Sequence, residues 1–253
     1  MVRLLLGKMQ FTMKSEHADN SRLKAVIFDC DGILVNTEPL HYQAFQKVLV
    51  PLGLGHDYER YMESYIGFDD RDAFLHAFKE AGRNIDALTL ETLIKAKGNA
   101  LAKQIEQGVP TFPGVVELIR KLEKHGLPMA VASGALRHEV LGFIRSLGLN
   151  GSFCAIVAAD DVKKSKPDPE TYLLALERLK TAQDWTSLDP GSCIAIEDTP
   201  SGIVSAKAAG LLVIGVTNSF PEDHLRKADR VIGSLAGLDF SCMVRILEDG
   251  YSE

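Results

Sequence analysis

Five short apolar runs stand out along the chain: Ala25-Val26-Ile27-Phe28, Met129-Ala130-Val131-Ala132, Cys154-Ala155-Ile156-Val157, Cys193-Ile194-Ala195-Ile196 and Leu212-Val213-Ile214-Gly215-Val216. None alternates with polar residues, which is how strands covered on both faces read. Helical stretches near 114–125, 137–147, 169–180 and 200–209 alternate with the last four, one before each. Such helices are the crossovers a parallel sheet requires, so the pattern predicts an α/β, doubly wound, Rossmann-like core. Residues 37 to 108 differ, with helical periodicity and no comparable strand run. In the last of these helices Leu90, Leu93, Ile94, Leu101 and Ile105 share one stripe, with Thr89 as the expected N-cap. The division is therefore an α/β core at 22–36 and 109–253, a helical cap domain at 37–108 inserted after the first strand, and a flexible extension at 1–21.

Composition narrows the partners. A chain of 253 residues with 46% hydrophobic content can bury one large core and a smaller companion without a staple. The formal charge of −6 offers no basic face for a polyanion, so nucleic acid is not expected and a small molecule is. Cys30, Cys154, Cys193 and Cys242 are far apart and form no C-x-x-C pair, which suggests neither zinc nor a disulfide framework but reduced thiols in a cytoplasmic protein. Leu4, Leu5 and Leu6 are cut short by Gly7 and Lys8, so no membrane span is expected. A monomer is the expected state.

Chemistry gathers where the strands end. The first runs directly into Asp29-Cys30-Asp31-Gly32, two carboxylates at the edge where open α/β sheets bind ligands. An EF-hand loop also has D-x-D, but needs its glycine sixth, and Gly32 is fourth. The second run ends in Ser133-Gly134, the third leads to Lys166-Pro167, and the fourth ends in Glu197-Asp198. Singly each has a plain alternative: Ser133 as a helix cap, Lys166 as a solvated loop lysine, Asp198 or Thr199 as the cap of a helix begun by Pro200. Jointly, at corresponding strand ends, they fall in one crevice.

Phe28-Asp29-Cys30-Asp31-Gly32, Ser133-Gly134, Lys166-Pro167-Asp168-Pro169 and Glu197-Asp198-Thr199-Pro200-Ser201-Gly202 resemble the four motifs of the haloacid dehalogenase superfamily, over residues 24 to about 235. The helical insert is similar to the cap of the subgroup holding beta-phosphoglucomutase and small sugar-phosphate phosphatases. Asn36 stands where that subgroup usually has aspartate, followed by the expected Thr37, Glu38, Pro39 and His41. The departure lies in the hinge and bears on cap motion rather than chemistry.

Four carboxylates, Asp29, Asp31, Glu197 and Asp198, would repel by about 4 kcal/mol per close pair at an effective dielectric near 20. Protons or a cation must offset this, and hard oxygen donors favour magnesium, as the resemblance also implies. The resemblance implies a phosphatase acting on a small phosphorylated metabolite. In it Asp29 is the nucleophile that becomes an aspartyl-phosphate and Asp31 the acid and base. Ser133, the Gly134 N–H and Lys166 hold phosphate oxygens. Asp29, the Asp31 main-chain oxygen, Asp198 and Glu197, directly or through water, hold the metal.

Rival readings follow from the same residues. Dehalogenation needs no acid at Asp31, and that branch characteristically lacks the second aspartate. A sugar phosphomutase could use the same site, and His41 keeps it open, but Ile66 precedes Gly67 where the mutase carries a lysine. A receiver-like phosphoaspartate switch would place its acceptor on a later strand and have no insert. Substrate choice is expected to rest on His41, Gly67, Arg71 and Lys97. Lys97 falls near the middle of the last cap helix's stripe, where it either extends its stem to solvent or reaches across the cleft. Arg71 either pairs with Asp70 or Asp72, or binds the distal part of the substrate.

Overall fold

The apolar runs become strands because both of their faces meet helices. The computed structural model describes residues 22–65, 68 and 70–250, so Gly67 and its neighbour Ile66, with residues 1–21, lie outside the described residues. In chain order the elements are β1 (Ala25–Phe28), α1 (Glu38–Leu49), α2 (Tyr58–Ser64), α3 (Asp70–Glu80), α4 (Ala87–Gln107), α5 (Val115–Lys124), β2 (Met129–Ala132) and α6 (Arg137–Ser146). There follow β3 (Ala155–Val157), α7 (Glu170–Ala182), β4 (Cys193–Glu197), α8 (Pro200–Ala208), β5 (Leu212–Val216), β6 (Arg230–Ile232) and α9 (Phe240–Asp249). The six strands form one parallel sheet in the order β3-β2-β1-β4-β5-β6.

Period-two geometry divides the core into two layers. Val26, Phe28, Met129, Val131, Ile194, Ile196 and Ile214 point to the side covered by α5, α6 and α9. Ala25, Ile27, Ala130, Ala132, Cys193, Ala195 and Val213 point to the side covered by α7 and α8. The second set is rich in alanine and receives the larger side chains of those helices, Tyr172, Leu176, Leu179 and Ile203. This is the doubly wound core with a helical insert between β1 and α5 that the pattern predicts. The insert has its own core, in which Phe45, Leu49, Tyr61, Tyr65, Phe74 and Leu90 pack together. Its attachment to the sheet layer runs through Ile105 and Val109, which pack both on Leu40, Ala44 and Leu101 and on the core.

Three details differ from the sequence reading. Helix α4 is capped by Asp86, whose side chain accepts from the Thr89 N–H, so Thr89 lies inside the first turn instead of capping it. The third strand starts at Ala155; Cys154 is exposed and lies outside the ladder, its N–H and thiol both donating to Met129 O at 2.9 and 3.2 Å. Strand β6 and helix α9 were not read from the pattern: β6 has three residues at a half-exposed edge, and α9 follows it, capped by Asp239. Among the described residues no helix is long and apolar enough to cross a membrane.

Candidate active site

The strand order reverses direction between β1 and β4, and ligands of doubly wound sheets sit at that switch point, beyond the strands' carboxyl ends. Register then sets the neighbours. Phe28 pairs with Ile196 on one side and with Val131 on the other, so Asp29 emerges level with Glu197 and Ala132. The Asp29 N–H donates to Ile196 O at 3.0 Å, and the Ser133 N–H donates to Val157 O at 2.9 Å, which extends the ladder one residue into the site.

Lys166 draws these strand ends together. Its Nζ donates to Asp29 Oδ1 at 2.7 Å, to Glu197 Oε1 at 2.6 Å and to the Ala132 carbonyl at 3.0 Å, which takes all three of its protons. The ammonium also lies 5.0 Å from the centre of the Tyr172 ring. It is therefore an interior cation, not the solvated loop lysine that one reading allowed. Burial works against its charge, but Asp29 and Glu197 outweigh that and hold it firmly protonated.

Glu197 is fully buried and accepts from five donors. Lys166 and the Tyr172 hydroxyl (2.9 Å) meet Oε1; the Asp198 N–H, the Thr199 N–H and the Thr199 hydroxyl meet Oε2 at 3.1, 3.2 and 3.0 Å. The close quarters depend on Gly202, where a Cβ would stand 1.8 Å from Glu197 Oε1. Thr199, not Asp198, caps α8, accepting from the Gly202 N–H. Asp198 is thereby left to the crevice. Its Oδ2 accepts from Ser219, while Oδ1 is buried and accepts no hydrogen bond among the described residues. Gly32, at φ +81°, passes so near that a Cβ there would lie 1.8 Å from Asp198 Oδ2.

An unsatisfied buried carboxylate oxygen calls for a cation. Asp29, Glu197 and Asp198 can each offer one oxygen within 4.8 Å of the others, and a cluster of hard oxygen donors suits a divalent ion such as magnesium. The electrostatics agree. Burial, and then the neighbouring carboxylates, push Asp29 well above the usual carboxylate range despite Lys166. Burial raises Asp198 as well, against the hydrogen bond from Ser219. Asp31, the second acid of the loop, is pushed up to about 6 by burial, although Thr37 Oγ1 donates to its Oδ1 at 2.7 Å.

Ser133 is buried, with its Oγ accepting from the Ala135 N–H at 3.0 Å rather than capping α6, and Gly134 beside it is exposed to open space. The expected core residues Asp29, Asp31, Ser133, Gly134, Lys166, Glu197 and Asp198 thus meet at one edge of the sheet. The expected residues of the insert divide. His41 and Lys97 are in contact, Lys97 Nζ lying 2.9 Å from His41 Nδ1, but Lys97 is buried and its ammonium bonds Asp70, so it does not extend to solvent. Arg71 is exposed, about 100° around α3 from Asp70, and is not drawn to that pair.

Residues 26–216 match the family of haloacid dehalogenase-like hydrolases. The chain belongs to that family. A phosphorylated carbohydrates phosphatase of Thermotoga maritima is 33% identical over 198 residues, 78% of this chain and 87% of its own. A fructose-1-phosphate phosphatase of Escherichia coli is 32% identical over 196 residues, 77% of this chain and 97% of its own. Among solved structures, CbbY of Rhodobacter sphaeroides in complex with xylulose bisphosphate superposes with a TM-score of 0.70 at 27% identity, covering 87% of this chain and 98% of that one.

Within this haloacid dehalogenase-like site, sequence reasoning missed Tyr172, Ser219 and Asn218, whose Nδ2 donates to Gly32 O at 2.6 Å. Asn218 and Ser219, the second and third residues past β5, carry the same signal as the others, polar groups just beyond an apolar strand. Tyr172 carries none, since an aromatic on the buried face of α7 reads as core.

Proposed function

We propose that this enzyme is a magnesium-dependent phosphatase of small phosphorylated sugars, working through an aspartyl-phosphate on Asp29. The observation that carries the reading is Lys166, bonded to Asp29 and Glu197 beside the unpartnered Asp198 Oδ1 at the switch point of the sheet. Two of the phosphatases among its relatives, one named for phosphorylated carbohydrates and one for fructose 1-phosphate, support the substrate class.

Asp29, Asp198, the Asp31 main-chain oxygen and Glu197, directly or through water, would hold the magnesium ion. When bound, it supplies positive charge that offsets the phosphoryl oxygens and keeps the carboxylates ionised. An Asp29 oxygen attacks phosphorus in line, and the bond from phosphorus to the sugar oxygen breaks. Asp31, raised toward neutrality, gives its proton to that leaving oxygen. It then takes a proton from the water that attacks the phosphorus of the acyl-phosphate, which releases phosphate and restores the Asp29 carboxylate. Ser133, the Gly134 N–H and Lys166 orient the phosphoryl oxygens. An incoming oxygen competes for a Lys166 proton most readily with the neutral Ala132 carbonyl, because charge-assisted bonds to Asp29 and Glu197 are the stronger ones. The insert closes over the site as a cap, hinged near Asn36, whose N–H bonds Pro110 O. Four free cysteines fit a cytoplasmic setting.

The test is phosphate release from a panel of sugar phosphates, phosphoglycolate and nucleotides, with and without chelator. Expected are turnover of sugar phosphates that chelation stops and magnesium restores, and a hydroxylamine-labile phosphoryl group on acid-quenched protein that maps to Asp29. Turnover of macromolecular phosphoesters alone, or a label elsewhere, overturns the reading.

A further inference from the structure

Three helices of the insert bring one acid, one base and one imidazole to a single point. Lys97, in the middle of α4, has a side chain only 2% exposed, yet its Nζ is 2.6 Å from Asp70 Oδ1, 2.9 Å from His41 Nδ1 and 4.7 Å from the Phe45 ring centre. A lysine has only protons to give, so His41 Nδ1 accepts and a neutral ring carries its proton on Nε2. Burial, and next the lysine charge, lower His41 to about 4, in keeping with a neutral ring. The cluster therefore sums to zero charge, with one cation, one anion and one neutral ring.

Its position gives this cancellation a consequence. His41 lies one turn of α1 beyond Thr37, and its N–H donates to Thr37 O at 2.9 Å, while the Thr37 hydroxyl holds Asp31 at 2.7 Å. The cluster thus stands one helical turn, about 6 Å of rise, from a residue that touches the catalytic loop. Asp70 is the outer member of the pair: its side chain is 33% exposed against 2% for Lys97. It sits at the first position of α3, on the axis of the face that buries Ala73, Phe74 and Ala77, so the helix aims it inward. Of the two charged groups, the Asp70 carboxylate is the one open to solvent, and the Lys97 ammonium lies behind it.

We propose that Asp70 is a specificity-determining residue: by cancelling and screening the buried Lys97 it removes that ammonium as an anchor for a second anionic group, so the site favours phosphomonoesters with a neutral, hydroxyl-bearing distal part over bisphosphates and phosphorylated carboxylates. This deepens the phosphatase reading above and rests on it. It also separates this chain from its relative solved with a bisphosphate. Distal hydroxyls find donors and acceptors in Asp70 and the His41 ring, whereas a second phosphate meets a carboxylate, a repulsive element of the kind that specificity requires. An acid in the first turn also suits the helix dipole. A role confined to that would move stability but not substrate choice.

The experiment compares kcat/KM for fructose monophosphate, fructose bisphosphate and p-nitrophenyl phosphate in wild type, Asp70→Asn, Lys97→Met and the double variant, with melting temperatures recorded for each. Wild type is expected to prefer the monophosphate, and Asp70→Asn to raise the bisphosphate-to-monophosphate ratio by about tenfold, through KM, as an unmasked cation should. The double variant is expected to return to the wild-type ratio. Lys97→Met, which leaves the acid unpaired, should lower the ratio further, and it keeps the inference testable if Asp70→Asn does not fold. A wild type that prefers the bisphosphate, or a folded Asp70→Asn with an unmoved ratio, overturns the inference while leaving the phosphatase reading in place. Wild type inert toward all the esters overturns both.

Discussion

At the scale of single residues the site is governed by how closely its carboxylates approach their supports. Glu197 is held by five donors, and Gly202 passes within a distance that leaves no room for a side chain. Gly202→Ala must therefore displace Glu197 and, with it, the Lys166 ammonium. We expect turnover to fall by about a hundredfold or more, as misplaced catalytic groups do, and stability to drop by about 1–3 kcal/mol from overpacking. Asp29→Asn should separate these two effects. It removes the proposed nucleophile and one of the mutually repelling acids, so phosphate release should vanish while the melting temperature holds or rises. Residual turnover in Asp29→Asn, with deamidation excluded by mass spectrometry, overturns the covalent route. The charged residues of this site were legible in the sequence because each follows an apolar run. Their supports were not: Tyr172 looks like core, and the partner of Lys97 proved to be Asp70 on another helix, a pairing that needs the packing of α3 against α4.

At the scale of elements, strand interiors were read with little error and boundaries less well. A run buried on both faces declares itself by composition, which is why β1, β2 and β5 begin and end where the pattern puts them. The start of helix α4 falls three residues before the expected one because Asp86 and Thr89 are both good caps, and only geometry shows which side chain accepts. Asp86 Oδ1 accepts from the Thr89 N–H at 2.9 Å and Oδ2 from its hydroxyl at 2.7 Å. Asp86→Ala should accordingly lower the melting temperature by a few degrees, and Thr89→Val by less, since the valine retains the backbone donor. Equal losses would mean that the hydroxyl contact, not the cap, carries the effect. Strand β6 escaped notice for a different reason. With three residues at a half-exposed edge it has neither the length nor the apolar content of the others, and it forms because β5 offers an unpaired ladder.

At the scale of the molecule, the strand order carries the chemistry. It sets β1 beside β4, so acids separated by well over a hundred residues become neighbours without any local signal linking them. The insert adds a second polar centre whose charge balance should be visible in the pH dependence of folding. His41 is lowered from 6.5 to about 4, first by burial and then by Lys97. Between those values the unfolded chain holds a proton on this ring that the folded chain does not, so stability falls as pH falls through the window and is fully present above 6.5. Asp31 runs the other way, since its raised pKa makes the folded state the one that binds protons as pH drops below about 6. The acid limb of wild type is thus a contest between opposing slopes, and a variant is needed to isolate one of them. His41→Gln keeps an acceptor for the Lys97 ammonium but cannot titrate. From pH 7 to pH 5, wild type should lose about 2 kcal/mol more stability than His41→Gln, taking 1.36 kcal/mol per unit over most of that interval. Urea denaturation of both proteins at matched ionic strength measures the difference directly. Parallel curves would mean that the ring is protonated in the fold, and then Lys97 and His41 would repel instead of sharing a hydrogen bond.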